Sequence, residues 1–134
     1  MWSRVARGLV LVVIVSFLVP AASAQDFLGF IEKPVAGETV SGMVLVQGWS
    51  LTLSPISKVE LYVDDQFQHE ALIDLPRIDI VEAYPTWAGI QTRKPGFQTG
   101  FLASRLSNGP HTIHMVVVTE NNESFEIGRR TILV

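Results

Sequence analysis

The sequence predicts an all-β fold, an antiparallel β-sandwich of about seven strands. Residues 58–63 alternate strictly, and the aliphatic members Val59, Leu61 and Val63 share one side. This period of two is typical of a strand with one buried face. Apolar runs of similar length recur about every ten residues with turn residues between them. No stretch of the mature chain keeps a helical period, so helices are expected to contribute little.

The apolar runs assign the strands in chain order to residues 27–33, 43–49, 58–63, 66–73, 97–106, 111–119 and 124–134. The second of them is apolar on both sides. Val44 and Val46 face one way, whereas Leu45 and Trp49 face the other. A strand of this kind is expected to lie inside a sheet that is covered on both faces.

A long loop is predicted for residues 74–96, where the strand rhythm stops. Prolines stand at positions 76, 85 and 95, and the aromatic residues Tyr84 and Trp87 lie between them. A connection of this length is usually either functional or disordered. The two aromatic residues and the scarcity of Ser and Gly favour an ordered loop, with one helical turn over residues 78–83.

Residues 1–24 have the three parts of a secretory signal peptide. Arg4 and Arg7 precede an apolar run over residues 8–19, and the small residues Ala22 and Ala24 form a cleavage site. An uncleaved anchor is the alternative, although the run is short for a membrane span. We therefore predict an exported protein, periplasmic or secreted, whose single domain comprises residues 25–134 and has no membrane span after signal removal.

Charge and cysteine content exclude several classes of function. The whole chain carries 10 basic and 13 acidic residues, and removing the leader takes away two arginines, which gives 8 − 13 = −5. An acidic domain is a poor partner for nucleic acid, which requires Lys and Arg to displace counterions. The absence of cysteine excludes disulfides, Cys-ligated zinc and iron–sulfur clusters. No cofactor is predicted.

An ordered set of short motifs resembles bacterial immunoglobulin-like domains. A strand ends in Gly-Trp, the next ends in Val-Asp, an Arg-x-Asp-Ile loop with Tyr-Pro follows, and then come Gly-Phe and Leu-x-x-Gly-x-His. Here they are Gly48-Trp49, Val63-Asp64, Arg77 to Ile80 with Tyr84-Pro85, Gly100-Phe101, and Leu106 to His111. The resemblance covers nearly all of the mature chain.

This resemblance implies an Ig-like β-sandwich of about seven strands that serves exported proteins as a binding or spacer module. It implies no particular ligand, because a fold alone assigns no function. The chain departs from the pattern at Asp65 and at residues 121–123, where a turn glycine is usual. Asp and Asn tolerate positive φ better than most residues, so both hairpins are expected to form.

Arg77 and Asp79 are candidate site residues in the loop. Arg77 has two alternative roles, namely clamping a ligand carboxylate or pinning the loop to the sandwich through an acidic group. We favour the second role, in which Asp79 acts with Arg77 as an anchor and also caps the start of the helical turn.

The loop aromatics Trp87 and Tyr84 are the candidate ligand-binding residues, because an exposed loop tryptophan can stack on a sugar ring. A Trp87 folded back over the edge of the sandwich is the alternative. Trp49 is expected in the core. The valines at 116 and 118 face away from the predicted core, and we expect the long loop to cover them.

Metal binding and catalysis have little support. His111 and His114 point to opposite faces of one strand, and His69 has no evident partner. Five acidic residues could gather around a calcium ion, but their spacing is not that of a calcium-binding loop. They are Asp64, Asp65, Glu70, Asp74 and Asp79. No nucleophile-elbow, zinc-protease or phosphate-loop motif is present. We therefore predict no metal and no enzymatic activity.

Two functions remain from different classes. The first is an interaction module that binds a protein partner in the cell envelope or the extracellular space. The second is a carbohydrate-binding module that holds a polysaccharide with the loop aromatics. A small hydrolase is a third and weaker hypothesis, since no acid, base or nucleophile can be named for it.

Overall fold

Strands of alternating side chains form two antiparallel sheets in a computed structural model that describes residues 27–88 and 94–134. The elements in order are β1 (Phe27–Lys33), β2 (Met43–Thr52), β3 (Ile56–Val63), β4 (Gln66–Glu70), β5 (Leu72–Leu75), α1 (Ile78–Ala83), α2 (Pro85–Ala88), β6 (Gly96–Leu102), a 3₁₀ turn (Ala103–Arg105), β7 (Pro110–Thr119) and β8 (Ser124–Leu133). Sheet A has the order β1-β2-β6-β5, and sheet B has the order β4-β3-β7-β8.

The predicted fold class is confirmed. The inner face of sheet B carries the alternating valines and leucine of β3, and their register partners on β7 are Val117, Met115 and Ile113. Sheet A contributes Ile31, Val46 and Phe97 to the same core, all of them buried. The core therefore sits between the two sheets, where a single apolar layer is removed from water.

The structure divides one predicted strand and reassigns part of the loop. Residues 66–73 were expected to be one strand, but β4 ends at Glu70 and β5 begins at Leu72 in the other sheet. The amide of Ala71 still donates to the Val59 carbonyl at 2.7 Å before the chain crosses. The described part of the loop at 74–96 holds the end of β5, the helices α1 and α2, and residues 94–95. The described chain has eight strands.

Residues 34–42 protect one edge of sheet B. This connection leaves sheet A, pairs with the outer edge of β8, and returns to β2. The amide of Val40 donates to the Leu133 carbonyl at 2.8 Å, and the Leu133 amide donates to the Glu38 carbonyl at 2.9 Å. A bare edge strand invites pairing with another chain, and this connection satisfies the end of β8 internally.

The first and last described residues lie at opposite ends of the sandwich. The ring of Phe27 stacks on Phe125 at a centroid distance of 4.5 Å, beside the turn that precedes β8. At the other end, Val134 and Gly109 exchange two backbone hydrogen bonds of 2.9 Å. Strand β8 spans the distance between these two points.

No helix among the described residues is long and apolar enough to cross a membrane. The predicted signal peptide lies outside the described residues.

Gly128 is required by a bulge in β8, where two residues oppose His114 of β7. Its φ is +70°, and a Cβ at this position would overlap the buried side chain of Ile31. We predict that Gly128→Ala lowers the free energy of unfolding by about 2–4 kcal/mol, from backbone strain and overpacking together. Urea denaturation measures this loss.

Gly37→Ala is the matched control, because Gly37 has a φ of +78° with no atom near its Cβ position. It should cost about 1–2 kcal/mol from backbone strain alone. Equal losses in the two variants would contradict the packing account of Gly128.

Candidate functional site

The helical segment, residues 77–88, covers part of the outer face of sheet A. Odd-numbered residues of β2 point away from the core, which brings Trp49 and Leu51 to this outer face. Ile80 of α1 packs on them to form a second apolar cluster, with Leu28 and Trp87 at its margin. Trp49 is only 9% exposed. It is buried as expected, but in this outer cluster and not between the sheets.

Gly96 makes room for the segment to lie flat on the sheet. It is the register partner of Trp49, and it carries no side chain on the outer face. A Cβ at Gly96 would lie 2.9 Å from Cγ of Arg77. The aliphatic stem of Arg77 therefore rests on the backbone of β6, and its guanidinium reaches across the sheet toward β1.

Arg77 donates four hydrogen bonds to two carboxylates, and the two to Glu32 hold the segment to β1. Its two terminal nitrogens donate to the two oxygens of Glu32, one of them at 3.1 Å. Its Nε donates to Asp79 Oδ1 at 3.0 Å, and Nη2 donates to Asp79 Oδ2 at 2.8 Å. The hydrogen bonds to Asp79 and then to Glu32 raise the pKa of Arg77. This arrangement supports the anchor role and leaves little donor capacity for a ligand carboxylate.

The predicted N-cap role of Asp79 is wrong. The N-cap residue of α1 is Arg77, no side chain caps the helix, and Asp79 lies in the first turn. Its carboxylate is directed to Arg77 instead, and this hydrogen bond lowers the pKa of Asp79. A bidentate pair with a guanidinium is stronger than a single bond to a backbone amide.

Tyr84 and Trp87 lie on the same segment as Arg77. The Tyr84 ring stands 5.4 Å from the Trp49 ring at an angle of 36°, and Tyr84 is 36% exposed. Trp87 is half-buried against the outer cluster, and its amide donates to the Tyr84 carbonyl at 3.0 Å. The structure therefore brings all three predicted ligand-binding residues onto one surface, where Tyr84 is the more exposed of the two loop aromatics.

Beside the helical segment, sheet A exposes an apolar surface that the sequence did not single out. Met43, Leu45 and Gln47 project from β2, and Gln98 of β6 and Leu72 of β5 share their side of the sheet. We call these five residues the open face. Met43 is 68% exposed, Leu72 is 65% exposed and Leu45 is 38% exposed. The sequence showed that the outer side of residues 43–49 is apolar, but it did not show how much of that side other elements cover.

Contrary to the expectation, the described part of the long loop does not cover Val116 and Val118, because it packs on sheet A. Both valines face outward on sheet B, paired with Glu60 and Lys58 of β3, and are half-buried there. The helical segment packs on sheet A because Trp49 and Leu51 offer a larger apolar surface than two valines do.

The three histidines are dispersed. His69 bonds to the Thr99 hydroxyl at 2.6 Å, and His114 stacks on Tyr62 at 4.9 Å. Burial, and then the charge of Arg129, lower the pKa of His114. Among the described residues, no three His, Asp or Glu side chains are grouped so that they can hold a metal ion.

His111 joins two turns at one end of the sandwich. Its Nδ1 donates to Asp64 Oδ2 at 2.6 Å, and its Nε2 donates to the Ser107 carbonyl at 2.7 Å. Both partners are acceptors, so the geometry needs a proton on each ring nitrogen, which is the charged form. The hydrogen bond to Asp64 raises the pKa of His111 and lowers the pKa of Asp64.

Comparison with known proteins identifies the fold. No family profile matches this chain, and no curated protein matches it in sequence. In structure it is similar to the fibronectin(III)-like modules of CbhA from Clostridium thermocellum, with a TM-score of 0.55 and 17% identity over 80% of this chain and 94% of that chain. This fold is an Ig-like β-sandwich.

The chain is also similar to the endo-beta-1,4-mannanase of Thermotoga petrophila, with a TM-score of 0.57 and 10% identity. The match covers 83% of this chain and 20% of the mannanase, so the chain spans about a fifth of that protein. At these identities both similarities show the fold alone. The more specific resemblance to bacterial immunoglobulin-like domains stays a prediction.

Arg77→Lys is predicted to loosen the helical segment without unfolding the sandwich, because an ammonium cannot form the two bidentate pairs. Opening of α1 should become easier by about 1 kcal/mol, a roughly fivefold rise in hydrogen exchange. The amides to follow are Val81 and Tyr84, which donate within α1. Arg105→Lys is the control, and equal exchange in both variants would refute the anchor role.

Stability is predicted to fall as the pH rises above about 6.5, the usual pKa of histidine. The folded state raises the pKa of His111, so its contribution is complete below this pH and is lost as His111 deprotonates. The pKa of His114 is lowered in the folded state, so His114 affects the pH dependence of stability only at lower pH. Thermal unfolding between pH 6 and pH 9 measures the slope.

His111→Gln should remove most of that slope and cost about 1 kcal/mol at pH 6, where the lost hydrogen bonds are fully formed. The variant Gln68→Ala, which changes no titratable group, should keep the slope of the wild type. An unchanged slope in the His111 variant would show that another group is responsible.

Proposed function

We propose that this protein is an exported, non-enzymatic interaction module that binds a protein partner through the open face of sheet A. The observation that carries the proposal is the exposure of Met43, Leu45 and Leu72 on one side of a single sheet. Burial of each such side chain is worth about 1.5–3 kcal/mol. A partner that covers all three gains enough to offset a substantial part of the cost of association.

The composition of the open face is suited to binding the surface of a partner protein. Gln47 and Gln98 are direct register partners within it, and their amides can both donate and accept hydrogen bonds. The ion cluster of Arg77, Glu32 and Asp79 lies at its margin. An apolar patch with interspersed amides and a charged rim is typical of a protein interface.

Export and the lack of catalysis belong to the same proposal. The leader at residues 1–24 supports export, because it has the charged, apolar and small-residue parts in order. The sequence contains no recognised catalytic motif, which favours a binding role. A fibronectin(III)-like sandwich is compatible with such a role and does not specify the partner.

Site-specific photocrosslinking tests the open face. A photoreactive phenylalanine analogue at Met43 should capture a discrete partner from the envelope or the culture medium, and the same analogue at Lys58 on sheet B should not. Leu72→Lys should abolish capture at Met43, because it places a charge in the buried interface, whereas Gln66→Lys should not. Capture that is equal at both positions would contradict the proposed face.

A carbohydrate-binding module is the second candidate. Tyr84 is more than a third exposed above Trp49, and Trp87 lies on the same segment, so a sugar ring can reach this aromatic surface. The structural similarity to a domain-sized part of an endo-beta-1,4-mannanase makes a polysaccharide a reasonable ligand to test. Here the ligand would be a polysaccharide chain lying along the helical segment.

Affinity gel electrophoresis distinguishes the two candidates. If the second is correct, a polysaccharide such as mannan should retard the wild type, and Tyr84→Ala and Trp87→Ala should each weaken retardation by up to about tenfold, since aromatic stacking is worth about 0.5–1.5 kcal/mol. Phe67→Ala, which removes an exposed aromatic residue of β4, is the control. The absence of retardation by any glycan would eliminate this candidate.

A further inference from the structure

Part of β6 has no strand beside it on the side away from β2. Strand β5 is short, and its register partners on β6 are Gln98 for Leu72 and Gly96 for Leu75. From residue 99 to residue 102, β6 is therefore paired with β2 alone in the described part of the chain. An unpaired strand edge can take up a strand from another chain, and proteins usually cover or interrupt such edges.

The backbone groups of Gly100 and Leu102 point to this free edge. The amide of Ala103 donates to the Gly42 carbonyl at 2.9 Å, which is toward β2. Leu102 is extended, with φ −90° and ψ 113°. Successive residues of an extended strand direct their backbone groups to opposite sides, so those of Leu102 and Gly100 point away from β2. Each of these two residues therefore offers an amide and a carbonyl to a further strand.

A cavity of about 230 Å³ lies beside the free edge, between β6 and β4. Its lining includes the buried side chains of Val63 and Phe101 and the exposed Met43. The Sδ atom of Met43 lies 3.1 Å from the position that a Cβ on Gly100 would occupy, so Met43 reaches over β6 toward the same edge. The cavity is smaller than pockets for drug-sized ligands and suits a single side chain.

Arg105 supplies a positive charge at this cavity. It is the one Lys, Arg, Asp or Glu among the described residues that line it. Its side chain is exposed and forms no ion pair with any other residue that the structure describes. A guanidinium with free donors can pair with a carboxylate through two hydrogen bonds. The cavity therefore favours a partner that brings an acidic group.

We propose that an extended segment of a partner protein adds to β6 as an antiparallel strand beside Gly100 and Leu102. One apolar side chain of the segment enters the cavity against Phe101, the next lies on the outer face beside Met43, and an acidic side chain pairs with Arg105. Main-chain hydrogen bonds supply affinity in such strand addition, and alternate side chains supply specificity. This inference rests on the proposed binding of a partner at the open face, and it specifies the form of the partner's segment.

Two observations define the segment further. All strand pairs of sheet A are antiparallel among the described residues, and parallel pairing is slightly less stable, which favours the antiparallel direction. A second copy of this chain is a poorer occupant than a different protein. The stretch that it would offer, residues 98–105, contains no acidic residue for Arg105.

Titration of the protein with the peptide acetyl-Thr-Asp-Thr-Leu-Val-Gly-amide, followed by NMR, tests the proposal. In the proposed register its leucine lies opposite Phe101 and its valine opposite Gly100. The backbone amides of Gly100 and Leu102 should shift and become protected from hydrogen exchange, with a dissociation constant on the order of 1 mM. The absence of these shifts would overturn the proposal.

N-methylation of the peptide distinguishes strand addition from apolar contact alone. A methyl group on the valine nitrogen removes an amide that faces β6 and should weaken binding about tenfold. A methyl group on the leucine nitrogen, which points away from β6, should weaken binding about twofold or less. Equal weakening by the two methyl groups would contradict strand addition.

Arg105→Glu tests the charge. It should weaken binding of the peptide about threefold and should strengthen binding of the same peptide with Lys in place of Asp by a similar factor. Lys58→Glu makes the same change of charge on the outer face of sheet B and should have no effect. An unchanged preference between the two peptides in the Arg105 variant would refute the role of Arg105.

A pair of substitutions at Leu102 separates this inference from the proposed function. Leu102→Pro removes the amide at the free edge, and the φ of −90° is close to the range of proline, whereas Leu102→Ala keeps the amide. Photocrosslinking from Met43 should be lost in the first variant and retained in the second. Capture that survives Leu102→Pro would leave the open face standing and overturn strand addition. Absence of capture by the wild type would contradict the proposed function, whereas failure of the peptide would contradict this inference alone.

A dilution series tests for a second copy at the edge. The amides of Gly100 and Leu102 should keep their chemical shifts as the protein concentration rises without peptide. Shifts that grow with concentration at these two amides would show that a second copy pairs with β6, and they would overturn the proposed occupant.

Discussion

Trp49 and Leu51 emerge on the outer face of β2, and much of the remaining structure follows from the need to cover them. Strand β2 is central in sheet A, and its inner side already contributes Val44 and Val46 to the core. Helices as short as α1 and α2 are not stable by themselves in water. They persist because Ile80 and Trp87 find an apolar surface on the sheet, and because Arg77 fixes the start of the segment to β1.

The alternation of residues 58–63, with turn residues between similar apolar runs, was sufficient to predict the class of fold, because a period of two with one apolar face is typical of a half-buried strand. The helical turn at 78–83 was also visible. The crossing at Ala71 was not, because residues 66–73 contain no Gly, Pro, Asn or Asp that would mark a break in the strand. Periodicity shows which side chains share a face, but it does not show which sheet the strand joins.

In the candidate site, too, some features could be predicted from the sequence and others could not. The sequence indicated Arg77, Tyr84 and Trp87 by residue type and by their place in an unusual segment. It did not indicate Glu32, which lies 45 residues before Arg77 and receives its bidentate pair. The open face was also missed. It depends on which surfaces other elements leave uncovered, and that is a property of the packed chain.

The placement of Phe27 and Val134 at opposite ends of the sandwich has a mechanical consequence. A pulling force applied between these two residues would run nearly parallel to the strands and would load the hydrogen bonds of β1 with β2 and of β8 with β7 in shear. In shear, many bonds resist together, whereas in a peeling geometry they break one after another. Tension along the length of the sandwich would therefore be resisted by both of these strand pairs in shear.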